Sequence, residues 1–395
     1  MRFELSEHQL RKVVKIWLSV FIAAFYLLPV DIAKPIWYAL FGLSALWLII
    51  NNGALKQLVA TTDKALWIFL ILASLRGFVP DTMSDGSQAI YSKHLSNLLL
   101  IFLFYGSIYI ALRKVTQNQF AINLIFFATI GLGINLIATL TDQSGIAKQF
   151  SLRAVHLGRM VDPNMYGVSL ALAILSALWI FFQSNGIKKY AMIFILFVLF
   201  TGLVYTQSRG ALFALALPMF FLVWSRYKPQ TKLFFWSMLN LALISAIVGF
   251  EDQIAKTLCQ WIALPRCASS QRYEIWIWTY DLVKEHPYLG IGAGFRFDHA
   301  GTGQVSPHHI LWGTALYFGV PMMLAFVATL YRITKQVEPN SPLISAFLIL
   351  GCGFMATNLT QPFLFINWHY LFLWLPLFYY ASPLSVQDRF TSTQS

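Results

Sequence analysis

Residues 188–209 read KKYAMIFILFVLFTGLVYTQSR. From Tyr190 to Ser208 there is no Asp, Glu, Lys or Arg. A helix that crosses a bilayer needs about 20 mostly apolar residues. A soluble helix of that length would instead show one polar face. The stretch therefore reads as a membrane span, with two lysines at one end and an arginine at the other. Similar apolar runs recur on both sides of it. They predict helices at about 16–30, 36–50, 65–79, 96–112, 119–140, 164–182, 190–206, 211–225, 233–250, 309–331, 343–358 and 369–381. Helices satisfy their own backbone groups in lipid, and no strand-length alternation suggests a barrel.

Composition points the same way. Of the 395 residues, 58% are hydrophobic and only 11% charged, against roughly 25% charged in a soluble domain. That excludes a soluble enzyme and a disordered chain. The expectation is an all-α polytopic membrane protein with about twelve transmembrane helices, forming one integral membrane domain over 1–395. The basic amino terminus, Met1 to Lys15, leads into an apolar run without an A-x-A cleavage site, so the first helix is expected to be retained.

The formal net charge is +12. In a soluble protein this would suggest nucleic acid; in a membrane protein it sorts by side, so no nucleic-acid partner is expected. With the amino terminus in the cytoplasm and strict alternation, the inner segments hold 16 of the 28 basic residues and five of the 16 acids, a net of +11, leaving +1 outside. The positive-inside rule then puts both termini in the cytoplasm. The longer, more polar segments fall outside: Arg76–Ser96, Thr141–Asn164 and, longest, Glu251–His308. Function concentrates in such loops.

In the longest, residues 272–285 (RYEIWIWTYDLVKE) place Ile275, Trp276, Trp278, Thr279, Leu282 and Val283 at helical spacing. This predicts a helix lying at the membrane interface. HPYLGIGAGF follows at 286–295. Pro287 stops the helix, and Gly290, Gly292 and Gly294 permit tight turns. The spacing is not a dinucleotide fingerprint. Next, SPHHILWGTALYFG at 306–319 carries His308 and His309 where a polar loop enters an apolar helix. Histidine there can act as a general base; the alternative is a pair that merely caps the helix. Arg209 in TQSRGAL, Arg153 and Arg159 in SLRAVHLGRMVDPNMYG, and Arg272 all fall outside. If they converge, they form a clamp for a diphosphate, which guanidinium binds bidentately. No metal-ligand spacing occurs, so neither metal nor cofactor is expected. Cys259 and Cys267, eight residues apart in the longest loop, could pair in an oxidising compartment. Cys352 reads as a small apolar filler inside a span.

In order, GRMVDPNMYG, TQSRGAL, the R-x-x-x-W of Arg272–Trp276, HPYLGIGAGF, and His308 eleven residues before Gly319 resemble the O-antigen ligase and polymerase superfamily. The last element is similar to the H-[NSQ]-x9-G pattern of the ligases, with His309 in the Asn/Ser/Gln position. The resemblance implies a GT-C-like glycosyltransferase in the bacterial inner membrane with a periplasmic active site in the 251–308 loop. It implies an undecaprenyl-diphosphate-linked glycan as donor, a lipid A-core acceptor, and metal-independent, inverting chemistry. His308 would be the general base, with His309 as second candidate, and Arg209, Arg272, Arg153 and Arg159 would bind the diphosphate. A polymerase usually carries two large loops and a protein O-oligosaccharyltransferase is usually longer; one dominant loop and a short end after the last helix favour the ligase. A transporter or flippase would show charges in its helices and spans broken near the midplane; the predicted spans are nearly free of ionisable residues and the rich chemistry sits in one outer loop, which favours the enzyme.

Overall fold

A computed structural model describes residues 7–28, 30–50, 64, 68, 71–72, 117–141, 155–156, 159–160, 163–206, 208–227, 232–249, 272–292, 297–298, 304–305, 307–336 and 342–358. The spans expected at 96–112 and 369–381, and most of that at 65–79, lie outside these residues. So do Arg153, Cys259, Cys267 and Gly294.

The helices are α1 (Glu7–Leu27), α2 (Val30–Ile50), α3 (Gln117–Thr141), α4 (Pro163–Gln183), α5 (Ile187–Tyr205), α6 (Arg209–Tyr227), α7 (Leu233–Gly249), α8 (Arg272–Glu285), α9 (Ile310–Phe318), α10 (Val320–Gln336) and α11 (Pro342–Asn358). Four of the described helices are long and apolar enough to cross a membrane: Gln117–Ile137, Tyr166–Gln183, Ile187–Tyr205 and Arg209–Tyr227. The protein is an all-helical membrane protein. Two hairpins of two residues per strand are the only ladders among the described residues: β1 (Val155–His156) with β2 (Arg159–Met160), and β3 (Phe297–Asp298) with β4 (Gln304–Val305). Both fall in expected loops, and two-residue strands leave no alternation to read.

α11 is the centre of the bundle. Every residue from Leu343 to Met355 is buried, against α4, α6, α7 and α9. A helix apolar on all sides belongs in such a place. Close approach is achieved with a small residue, as is usual between membrane helices: a Cβ on Gly353 would overlap the amide nitrogen of Asn240. That nitrogen donates to Ala214 O of α6 at 3.0 Å and Ile349 O of α11 at 2.8 Å, so one amide of α7 ties three helices. α5 is peripheral. Only Leu199, Gly202 and Leu203 of it are buried, while Ile193, Phe194, Phe197, Phe200 and Val204 are exposed, a face suited to lipid. Cys352 is buried in α11.

Helix ends that alternation assigns to one side meet in space. Asn118 donates to Gln183 at 3.0 Å and accepts from Trp179 Nε1 at 2.9 Å, joining the start of α3 to the end of α4. At the opposite end Tyr26 OH donates to Ser169 O at 2.7 Å.

Two expectations need correction. The first helix begins at Glu7 and not near 16, because its polar first turns continue the helix beyond the apolar run. The span expected as one helix at 309–331 is two, broken at Gly319. Gly319 has φ 90°, outside the helical region, and is itself buried. Irregular backbone at membrane depth is tolerated only inside protein or along a water-filled cavity, and here it is inside protein. A broken span is thus present, and that criterion does not separate an enzyme from a transporter.

Candidate active site

The expected interfacial helix is α8, Arg272–Glu285. Ile275, Thr279, Leu282 and Val283 are buried, and Ile277, Tyr280, Asp281, Lys284 and Glu285 are exposed, so one helical stripe faces the protein. α8 packs on α9 and on α7.

The HPYLGIG turn after α8 closes the carboxy-terminal end of α9. A helix leaves its last four carbonyls without intrahelical partners. Ile291 N donates to Leu316 O at 2.8 Å and Gly292 N to Tyr317 O at 3.2 Å, while Val320 N returns a bond to Pro287 O at 2.8 Å. The two segments sit backbone against backbone. A Cβ on Gly290 would overlap Leu316 O, and one on Gly319 would overlap Tyr288 O. Both glycines also have positive φ, 65° and 90°, which a side chain disfavours. The eleven-residue spacing from His308 to Gly319 is therefore one short helix with its two end residues.

At the other end of α9 the two histidines have opposite situations. His309 is the N-cap, with extended backbone (φ −147°, ψ 123°). It is buried at 4% exposure. Its Nδ1 accepts from Trp312 N at 3.4 Å, and its Nε2 lies 2.8 Å from Ser245 Oγ of α7. Ser245 uses its own hydrogen on Leu241 O at 2.7 Å, so its oxygen accepts from His309. These partners fit the neutral imidazole with the proton on Nε2, both nitrogens engaged. The ring of Trp276 meets the His309 ring edge-to-face at 5.1 Å.

His308 is half-buried and has φ 46°, the left-handed region. It is the one residue other than glycine with positive φ among those described. Such a conformation costs about 1–3 kcal/mol, persists only where the surroundings impose it, and clusters at functional sites. The surroundings do impose it. Pro307 is held through its carbonyl by Trp276 Nε1 at 2.9 Å, and His309 is held as above, so His308 is the bend between two anchored residues. Of the two candidate bases, His309 caps the helix, and His308 is half-buried at the strained bend.

A second junction joins α4 to α6. Ser208 caps α6, accepting from Ala211 N at 3.4 Å, and donates to Asn164 Oδ1 of α4 at 3.0 Å. A Cβ on Gly167 would lie 2.8 Å from Ser208 Cβ. DPNMYG and TQSRGAL are thereby brought into contact. Arg209 is the first residue of α6 and is exposed. Arg159 is on β2 opposite His156, and Arg272 opens α8; only their backbones are described. Arg209 and His308 follow these two junctions, while convergence of the four arginines is not among the described contacts. Ser245 and the Trp276–Pro307 bond escaped the sequence reading. An isolated serine among apolar neighbours carries no pattern, and a carbonyl partner leaves no trace in sequence. Among the described residues no three His, Cys, Asp or Glu side chains gather into a metal-binding group.

Fold and site define a helical membrane protein whose described polar contacts join α7 to α9 and α4 to α6. A family model described as O-antigen ligase matches residues 194–327, which include Arg209, Arg272, His308 and Gly319. An O-antigen ligase of Pseudomonas aeruginosa is 27% identical over 318 residues, covering 75% of this chain and 72% of that protein. The chain is similar to O-antigen ligases over these residues. No solved structure matches it.

Proposed function

We propose that this protein transfers a glycan from undecaprenyl diphosphate to the lipid A-core oligosaccharide, at the periplasmic face of the bacterial inner membrane. In this reading the chain spans the membrane about twelve times in a GT-C-like arrangement, with both termini in the cytoplasm. The hydroxyl of the core sugar attacks the anomeric carbon of the donor. His308 takes the hydroxyl proton as the new glycosidic bond forms. The bond from the anomeric carbon to the diphosphate oxygen breaks, with inversion, and undecaprenyl diphosphate leaves. General-base help of this kind is worth typically 10²–10⁴-fold. Arg209 and Arg272, with Arg153 or Arg159, hold the departing diphosphate, whose growing charge is where positioned cations contribute most. Guanidinium supplies the charge compensation, with no metal in the step.

The observation that carries the reading is the left-handed backbone of His308 between two tethered neighbours. The matches to a ligase family and to a protein named as a ligase support the substrates. Complementation of a ligase-null strain tests it, read as the lipopolysaccharide ladder on a gel. The wild-type protein should restore the ladder, and His308→Ala at equal expression should not. Failure of the wild type to restore any ladder, with the protein present in the membrane, rejects the assignment.

A further inference from the structure

We propose that Ser245 is a positioning residue for the transfer reaction, acting through His309 on His308. This rests on the reading of His308 as the base. Ser245 lies near the end of α7, 64 residues before His309 in sequence, and its hydroxyl has two partners. Its hydrogen goes to Leu241 O at 2.7 Å, which fixes the rotamer and aims the oxygen at His309 Nε2, 2.8 Å away. His309 is thereby held at one ring nitrogen by α7 and at the other by the first turn of α9. His308, with its φ of 46°, sits between these two held residues. Trp276 pins Pro307; Ser245 pins His309. The serine touches no substrate in this account. It resists flattening of the strained bend into ordinary extended backbone, which would turn the His308 imidazole away from the acceptor.

The test is the isosteric pair Ser245→Thr and Ser245→Val in the full-length protein, assayed with an undecaprenyl-diphosphate-linked glycan and a lipid A-core acceptor. Threonine keeps a hydroxyl that can bond the carbonyl four residues back, as Thr279, Thr314 and Thr329 do here at 2.6–2.8 Å. Valine has the same shape without it, and Ser245 is only partly buried, so either methyl has room. A misplaced catalytic group can cost on the order of 10²-fold. The expectation is a kcat at least about tenfold lower for Ser245→Val, an unchanged KM for the lipid-linked donor, and recovery in Ser245→Thr. Should Ser245→Val fold poorly, His309→Asn tests the same tether, because its side chain caps α9 but does not reach the hydroxyl; it should show the same split. Equal kcat for Val and Thr, or a loss confined to KM, overturns the positioning role. His308→Ala is measured alongside. If that variant keeps its turnover, the base assignment falls, and the tether falls with it; if it is dead while Ser245→Val is normal, only the tether falls.

Discussion

The α-carbon of Gly319 faces the carbonyl oxygen of Tyr288 so closely that a β-carbon would overlap it. The contact locks the turn after α8 onto the break between α9 and α10. Gly319 also needs its φ of 90°, so alanine there is opposed twice, by space and by backbone. Gly319→Ala should destabilise the protein by more than about 2 kcal/mol. The measure is thermal unfolding in detergent followed by monodisperse elution. A melting temperature unchanged from wild type would show that the interlock contributes nothing.

His308→Gly separates folding from chemistry. Glycine accepts the left-handed bend without strain, and its added freedom in the unfolded chain offsets part of that gain. The melting temperature should stay within a few degrees of wild type while turnover drops by at least about 10²-fold. A glycine variant that transfers glycan normally would remove His308 from the mechanism.

For His309 the cap and the tether can be resolved. Asn is among the best N-cap residues, and losing a cap costs about 1 kcal/mol. His309→Asn should therefore unfold at a higher temperature than His309→Ala. In activity both should fall, since neither reaches Ser245. Adding Ser245→Val to His309→Asn should cause little further loss, because the two residues share one interaction. Additive losses in that double variant would mean they act independently. The cap also accounts for the Asn/Ser/Gln position in the pattern this segment resembles: what the position requires is an acceptor for the third amide of α9, and Nδ1 of His309 supplies one.

Arg209 opens α6 beside the Ser208–Asn164 junction. Arg209→Ala should abolish the ladder, and Arg209→Lys should recover only a minor part, because lysine offers a point charge where bidentate recognition needs a planar fork. Wild-type turnover in Arg209→Lys would reduce the residue to a generic positive charge.

Much of the fold was legible because membrane helices are written in composition. The runs that predicted 119–140, 164–182, 190–206 and 233–250 are helices with ends shifted by a few residues. The interfacial helix at 272–285 agrees at both ends, since Pro287 and the amphipathic spacing bracket it. The break at Gly319 was not legible. An apolar run says that lipid or protein surrounds a segment, but not whether its backbone bonds to itself or to a turn some thirty residues earlier.

The site divides in the same way. Residue types and their order singled out His308, His309 and the arginines, because few charged or titratable groups exist in so apolar a chain. Which histidine caps the helix and which occupies the strained bend depended on backbone geometry and on contacts from other elements. Sequence by itself determined that the chain is built from apolar membrane helices and which polar residues stand out among them, since transfer free energy is a sum over residues. Tertiary structure alone decided how that chemistry is aimed, because hydrogen bonds and backbone strain depend on groups distant in sequence meeting within 3 Å.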